Sequence, residues 1–231
     1  MADGAGPGDS LRALRYERGS LQVVEQRALP HEKTMVEVAG VQDAWKVIRD
    51  MSVRGAPLIA IVASLGLAVE ITKRRSSDGA ELAEFILKST AHLRTSRPTA
   101  VNLFNAMDEI DALVDCHRSA SAADLGGAIV QYAEKLREDD YAKCKAMGKV
   151  GAEAVLRPLG DEQKASILTI CNTGSLATGG YGTALGVVRA VFGRERLEQV
   201  YVMETRPYNQ VLAPAWKASY SSCLSHTALL R

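Results

Sequence analysis

The stretch from Ser166 to Gln210 constrains the fold more than any other part of the chain. Ile167-Leu168-Thr169-Ile170-Cys171 is a short apolar run of the kind found in a strand buried on both faces. A glycine-rich turn follows, through Gly174, Gly179, Gly180 and Gly182, and then an apolar helix from about Tyr181 to Phe192. A second strand ends in Glu204-Thr205-Arg206-Pro207-Tyr208-Asn209-Gln210. Strand, turn, helix and strand in that order make the opening βαβ unit of a parallel-sheet α/β domain. After Gln210 the pattern breaks into Val211-Leu212-Ala213-Pro214-Ala215-Trp216 and a serine-rich end without a steady period.

Upstream the periodicity is different. Residues 11–38 alternate apolar and polar positions around Gly19-Ser20, which predicts a small β-hairpin region. Helical spacing then takes over, with Val41, Ala44, Trp45, Ile48 and Met51 on one face. The turn Ser52-Val53-Arg54-Gly55-Ala56-Pro57 leads into a helix from Leu58 to about Lys73 that is apolar on nearly every side, and so buried. Pro57 suits the first turn of that helix, where its missing N–H costs nothing. Two further helices are expected at Leu82–Arg94 and Ala100–Asp115, and one long or two broken helices at Ala122–Leu156.

The fold class expected is therefore α/β: a mostly helical N-terminal domain with a small β-region, then an incomplete Rossmann-like parallel-sheet domain. The boundaries run 1–10 for a disordered leader, 11–160 for the helical domain, 161–210 for the partial Rossmann-like domain and 211–231 for an atypical tail.

Composition narrows the function. Hydrophobic residues at 47% and charged residues at 24% are ordinary for a globular protein, and a formal net charge of +1 argues against nucleic-acid binding by bulk electrostatics. The four cysteines lack paired spacing, which fits a reduced intracellular protein. The longest apolar stretch, Ala56 to Val69, reads as too short for a bilayer. The four histidines show no metal-ligand spacing, so no metal is expected.

Cys171 falls at the carboxyl end of the first parallel strand, where open α/β sheets collect ligands. A helix N-terminus nearby would attract anions and favour a thiolate. The residue reads either as a reactive thiol or as a buried structural cysteine. The glycine spacing departs from the dinucleotide fingerprint, and Glu204 comes too late for its acidic residue. Arg54, ahead of Gly55-Ala56-Pro57, could converge with backbone amides on one phosphate, and Arg97 sits in a turn before Pro98. Each arginine alone reads more readily as a solvated loop residue than as a ligand.

Met51-Ser52-Val53-Arg54-Gly55-Ala56-Pro57, Ser96-Arg97-Pro98-Thr99-Ala100-Val101-Asn102, Cys171-Asn172-Thr173-Gly174 and Glu204 to Gln210 resemble, in order, the signatures of methylthioribose-1-phosphate isomerases. That family shares a superfamily with regulatory subunits of the guanine-nucleotide exchange factor of translation initiation. The resemblance covers residues 11–210. It implies an aldose–ketose isomerisation in methionine salvage, without cofactor or metal, in a cytoplasmic and also nuclear homodimer. It also implies that Arg54, Gly55 and Ala56 bind substrate and phosphate, that Arg97 contacts phosphate or sugar, that Gln210 binds substrate, and that Cys171 is one catalytic group. The partner expected is a sugar phosphate, not a nucleic acid or a membrane. A non-catalytic regulatory subunit and a ribose-1,5-bisphosphate isomerase are the alternatives.

In the family, Asn-Gln precedes a glycine, a helix and further strands, one carrying a Gly-Ala-Asp segment whose aspartate is the second acid–base group. None of these follows Gln210 here, and no Asp or Glu occurs after Glu204. The expectation is a C-terminally truncated form, weakly folded and weakly active, with two parallel strands that leave apolar faces bare.

Overall fold

A computed structural model describes residues 12–29, 31–74, 78–203 and 205, together with the backbone of 227–230. The expected leader, Gln210 and most of the 211–231 tail lie outside the described residues. The chain divides into two compact units. One comprises Leu14–Arg27 and Lys33–Asp140; the other takes in Ala28–Glu32 and the chain from Tyr141 onward. The division falls inside a long helix rather than at residue 160.

In the first unit, β1 (Leu14–Glu17), β2 (Ser20–Val24) and β3 (Met35–Glu37) form an antiparallel sheet in chain order. Glu17 pairs with Ser20, so the turn between β1 and β2 is the two residues Arg18-Gly19, and Gly19 takes the left-handed φ of 83° that such turns need. The expected hairpin is thus one strand larger.

Helices α1 (Val41–Arg49), α2 (Ala56–Lys73), α3 (Gly79–Arg94) and α4 (Val101–Cys116) follow. Met51, expected on the face of α1, lies beyond its end with φ 64°. Helix α2 is the centre of the unit and packs against α1, α4 and β2. Its residues Leu58 to Val69 are all buried, as the apolar sequence requires. A Cβ on Gly66 would come within 2.5 Å of the Ala44 Cβ, so only glycine lets α1 approach this closely. Contrary to the sequence estimate, α2 has 18 residues and is long and apolar enough to cross a membrane. Its burial among α1, α4 and β2 makes it a core helix here.

Helix α5 (Ala122–Leu156) is one unbroken helix of 35 residues. Its first part belongs to the first unit. There Glu134 accepts a bidentate pair of hydrogen bonds from Arg18, both 2.9 Å, and one from Tyr16 Oη at 3.2 Å. Burial, and then the Glu134 charge, push the Tyr16 hydroxyl up to about 12.

In the second unit, β4 (Ala165–Thr169), α6 (Ala184–Phe192) and β5 (Leu197–Met203) form the expected βαβ unit. β4 and β5 are parallel, with Thr169 opposite Val202. Two expectations are corrected. Helix α6 starts at Ala184, three residues after Tyr181, because the glycine-rich turn extends that far. The sheet has a third strand, β6 (Thr227–Leu230), parallel to β5 with Leu229 opposite Val202. A four-residue segment is too short to declare itself by period, and its pairing satisfies backbone groups that β5 would otherwise expose.

One face of the sheet packs against α6 and the end of α5. Ala165, Val200 and Val202 join Ala152, Leu185, Val188 and Val191 in one cluster. Glycine permits that contact: a Cβ on Gly148 would lie 2.9 Å from both Gly186 O and the Tyr181 ring. The other face carries exposed apolar side chains. Leu168 is 60% exposed and Ile170, just past β4, 57%.

Candidate active site

Arg54 and Gly55 lead into α2, and Ala56 is its first residue. Gly55 has φ 102°, in the left-handed region, and turns the chain into the helix. No side chain among the described residues caps α2, and its first backbone bond runs from Ile59 N–H to Gly55 O at 2.9 Å. The N–H groups of the first turn are therefore left to solvent or to an anion. Arg54 is only 4% exposed, and its Nη2 donates to Gln26 O at 2.8 Å. This guanidinium is a fixed internal charge next to a helix N-terminus, not a solvated loop arginine.

The loop is held from one side by the end of β2. The Glu25 carboxylate accepts the Ser52 hydroxyl at 2.7 Å, and Gln26 N–H donates to Ser52 O at 3.0 Å. Arg27 closes the far side, donating from Nε at 2.9 Å and Nη2 at 2.7 Å to Glu25. These hydrogen bonds, Arg27 first and Ser52 after it, hold the Glu25 carboxyl down at about 2 against the opposing effect of burial. The sequence reading missed these residues. A Glu-Gln-Arg triplet after a strand carries no signal of its own; the contact to Ser52 links positions 27 residues apart.

Arg97 lies in the turn between α3 and α4, in the same unit. Ala100 N–H closes the turn onto Arg97 O at 3.0 Å, and buried Ser96 donates its hydroxyl to Leu93 O at 2.6 Å. Trp45 Nε1 donates to Thr95 Oγ1 at 2.8 Å and its ring stacks on His92, 5.4 Å between centroids. Arg94 bridges Asp108 at 2.6 Å and Asp111 at 2.8 Å, which pins α3 to α4 beneath the turn. Arg97 Nη1 is shielded from solvent yet has no hydrogen-bond partner among the described residues. A buried guanidinium N–H without an acceptor is costly and is the kind of group an anionic ligand satisfies.

Cys171 belongs to the second unit, at the carboxyl end of β4. It is exposed and free, which rules out the buried structural reading. Its φ is 77°, rare for a residue with a Cβ and typical of constrained functional positions. The turn beyond it includes a 3-10 segment, Ser175–Ala177. Buried Thr178 orders that turn by accepting Gly180 N–H at 3.2 Å and Gly182 N–H at 3.0 Å through its hydroxyl, and Thr183 N–H returns to Thr173 O at 2.9 Å. Gly182, φ 95°, lies so close that a Cβ would be 2.9 Å from Thr173 O. Both polar atoms of the Asn172 amide, Thr173 Oγ1 and Thr205 Oγ1 are shielded and have no hydrogen-bond partner among the described residues. Unsatisfied polar atoms thus gather at the carboxyl ends of β4 and β5. Cys144 is buried in α5, and no disulfide forms among the described residues. No group of three or more His, Cys, Asp or Glu side chains among them is placed to hold a metal.

A model of the initiation factor 2 subunit family matches residues 52–222. The chain belongs to that family. Within it, a methylthioribose-1-phosphate isomerase of Nematostella vectensis is 47% identical over 201 residues, 87% of this chain and 57% of that protein. The crystal structure of 5-methylthioribose 1-phosphate isomerase from Pyrococcus horikoshii superposes with a TM-score of 0.83 at 34% identity, covering 95% of this chain and 59% of that one. Translation initiation factor eIF-2B, subunit delta, from A. fulgidus superposes at 0.76 and 32% identity, over 96% of this chain and 62% of that one. This member of the family therefore spans somewhat more than half the length of the relatives it matches.

Proposed function

We propose that the chain carries part of an aldose–ketose isomerase site that converts S-methyl-5-thioribose 1-phosphate to S-methyl-5-thioribulose 1-phosphate in methionine salvage. The observation that carries this reading is the free, exposed Cys171 in a left-handed turn at the carboxyl end of β4, followed by Asn172-Thr173-Gly174. Similarity to proteins named as that isomerase supports it, at 44–48% identity.

The reaction balances within the substrate. The ring C1–O4 bond breaks, hydrogen leaves C2 for C1, the 2-hydroxyl proton is lost as the C2 carbonyl forms, and O4 gains a proton. The protein must supply an acid near O4 and a base near the 2-hydroxyl, with the phosphate anchored. Arg54 with the first amides of α2, Arg97 and Gln210 are the anchors in this reading, and the Cys171 thiol is one proton-transfer group. The resemblance assigns the second to a carboxylate in the part of the relatives that this chain does not match. A cytoplasmic location belongs to the same reading, whereas the family's homodimer does not carry over to this chain.

The chain should bind methylthioribose 1-phosphate, and Cys171→Ala should lower isomerisation by about 10²–10⁴-fold. Equal turnover by the alanine variant, or a folded chain that neither binds nor isomerises the sugar phosphate, would sink the reading. A non-catalytic regulatory role has its own support in the likeness to the A. fulgidus subunit. Alkylation of Cys171 separates the two: protection by the sugar phosphate favours the isomerase, and unchanged labelling the regulatory subunit.

A further inference from the structure

The loop that carries Arg54 is an improbable conformation held in place from outside. Met51 and Gly55 both have left-handed φ, 64° and 102°. A non-glycine residue held this way is strained and persists only where its surroundings over-determine it. Met51 N–H bonds back to Ile48 O at 3.2 Å at the end of α1, and the rest of the loop is held by two consecutive residues just past β2. Glu25 accepts the Ser52 hydroxyl, Gln26 N–H donates to Ser52 O, and Gln26 O receives the Arg54 guanidinium. Glu25 is fixed in turn by its backbone N–H, which donates to Thr34 O at 3.0 Å, and by Arg27. Glu25 and Ser52 thus form the side-chain half of a clamp, and Gln26 forms its backbone half.

We propose that Glu25 is a positioning residue for an anion-binding loop: through Ser52 and Gln26 it sets the direction of the Arg54 guanidinium and of the first N–H groups of α2 toward a bound phosphate. The proposal rests on the reading above that Arg54, Gly55 and Ala56 hold the substrate's phosphate. Glu25 itself does not touch the anion, because its charge would repel it and its oxygens are occupied by Ser52 and Arg27. The carboxylate acts by geometry. An uncharged amide at this position keeps the volume but presents one acceptor oxygen in place of two, so it cannot accept both the bidentate Arg27 pair and the Ser52 hydroxyl.

Calorimetric titration of inorganic phosphate and of ribose 1-phosphate into the chain tests this, with helical circular dichroism confirming that each variant is folded at the assay temperature. Glu25→Gln should weaken both ligands about tenfold, and Ser52→Ala, a milder change that leaves the Glu25–Arg27 pair intact, should weaken them severalfold. In an Arg54→Lys background the same substitutions should have little further effect, since residues acting through one another are not additive. Wild-type affinity in both folded variants would overturn the proposal, as would equal losses with and without Arg54. A folded parent chain that binds neither phosphate nor ribose 1-phosphate would instead remove the phosphate-loop reading, and the positioning role with it.

Discussion

Helix α2 and strand β4 are both nearly continuous apolar runs, and they meet different fates. Every residue of α2 from Leu58 to Val69 is buried, because α1, α4 and β2 surround it within one unit. Strand β4 is covered on one side only. Ala165 and Thr169 are buried while Leu168 between them is 60% exposed. The same sequence signal, apolar on all sides, predicts burial only where the neighbours that complete it are present. The helical unit contains its own neighbours. The sheet unit builds one tight layer, with Gly148 and Gly186 backed against each other, and leaves Leu168 and Ile170 exposed on the other face.

Three substitutions would break or sharpen that contrast. The largest effect is expected in α2, where Leu65→Ala removes a fully buried side chain and should cost about 2–5 kcal/mol in urea unfolding. A loss near zero would show that α2 is not the core of its unit. On the packed side of the sheet unit, Gly148→Ala forces a methyl to 2.9 Å from Gly186 O and the Tyr181 ring and should cost about 1–3 kcal/mol. Unchanged stability would mean that α5 and α6 are not in close contact. The smallest effect is expected on the open face. Leu168→Lys should stay within about 0.5 kcal/mol of the parent and raise solubility, whereas a large loss would reveal a hidden partner for that face.

Much of the fold was legible from local pattern. The hairpin at Gly19, the all-round burial of α2 and the βαβ order around Cys171 each rest on residues close in sequence. The candidate site was legible only in part. Arg54, Arg97 and Cys171 could be picked out by motif, yet motif left open whether each was a solvated loop residue or an ordinary core cysteine. Burial of Arg54, the Arg97 Nη1 without a partner among the described residues and the left-handed, exposed Cys171 are facts of the fold. Strand β6 escaped the sequence reading because four residues carry too little periodicity and its partner β5 ends 24 residues earlier, at Met203 against Thr227.

By itself the sequence determined which segments are apolar, where the chain turns and which reactive side chains stand at the turns, since these depend on neighbours a few residues away. Only the tertiary structure decided what holds those side chains. Glu25 meets Ser52 across 27 positions, and Arg18 and Tyr16 meet Glu134 across more than 100. Such contacts form when separate elements pack, and no local pattern encodes the partner a buried charge will find.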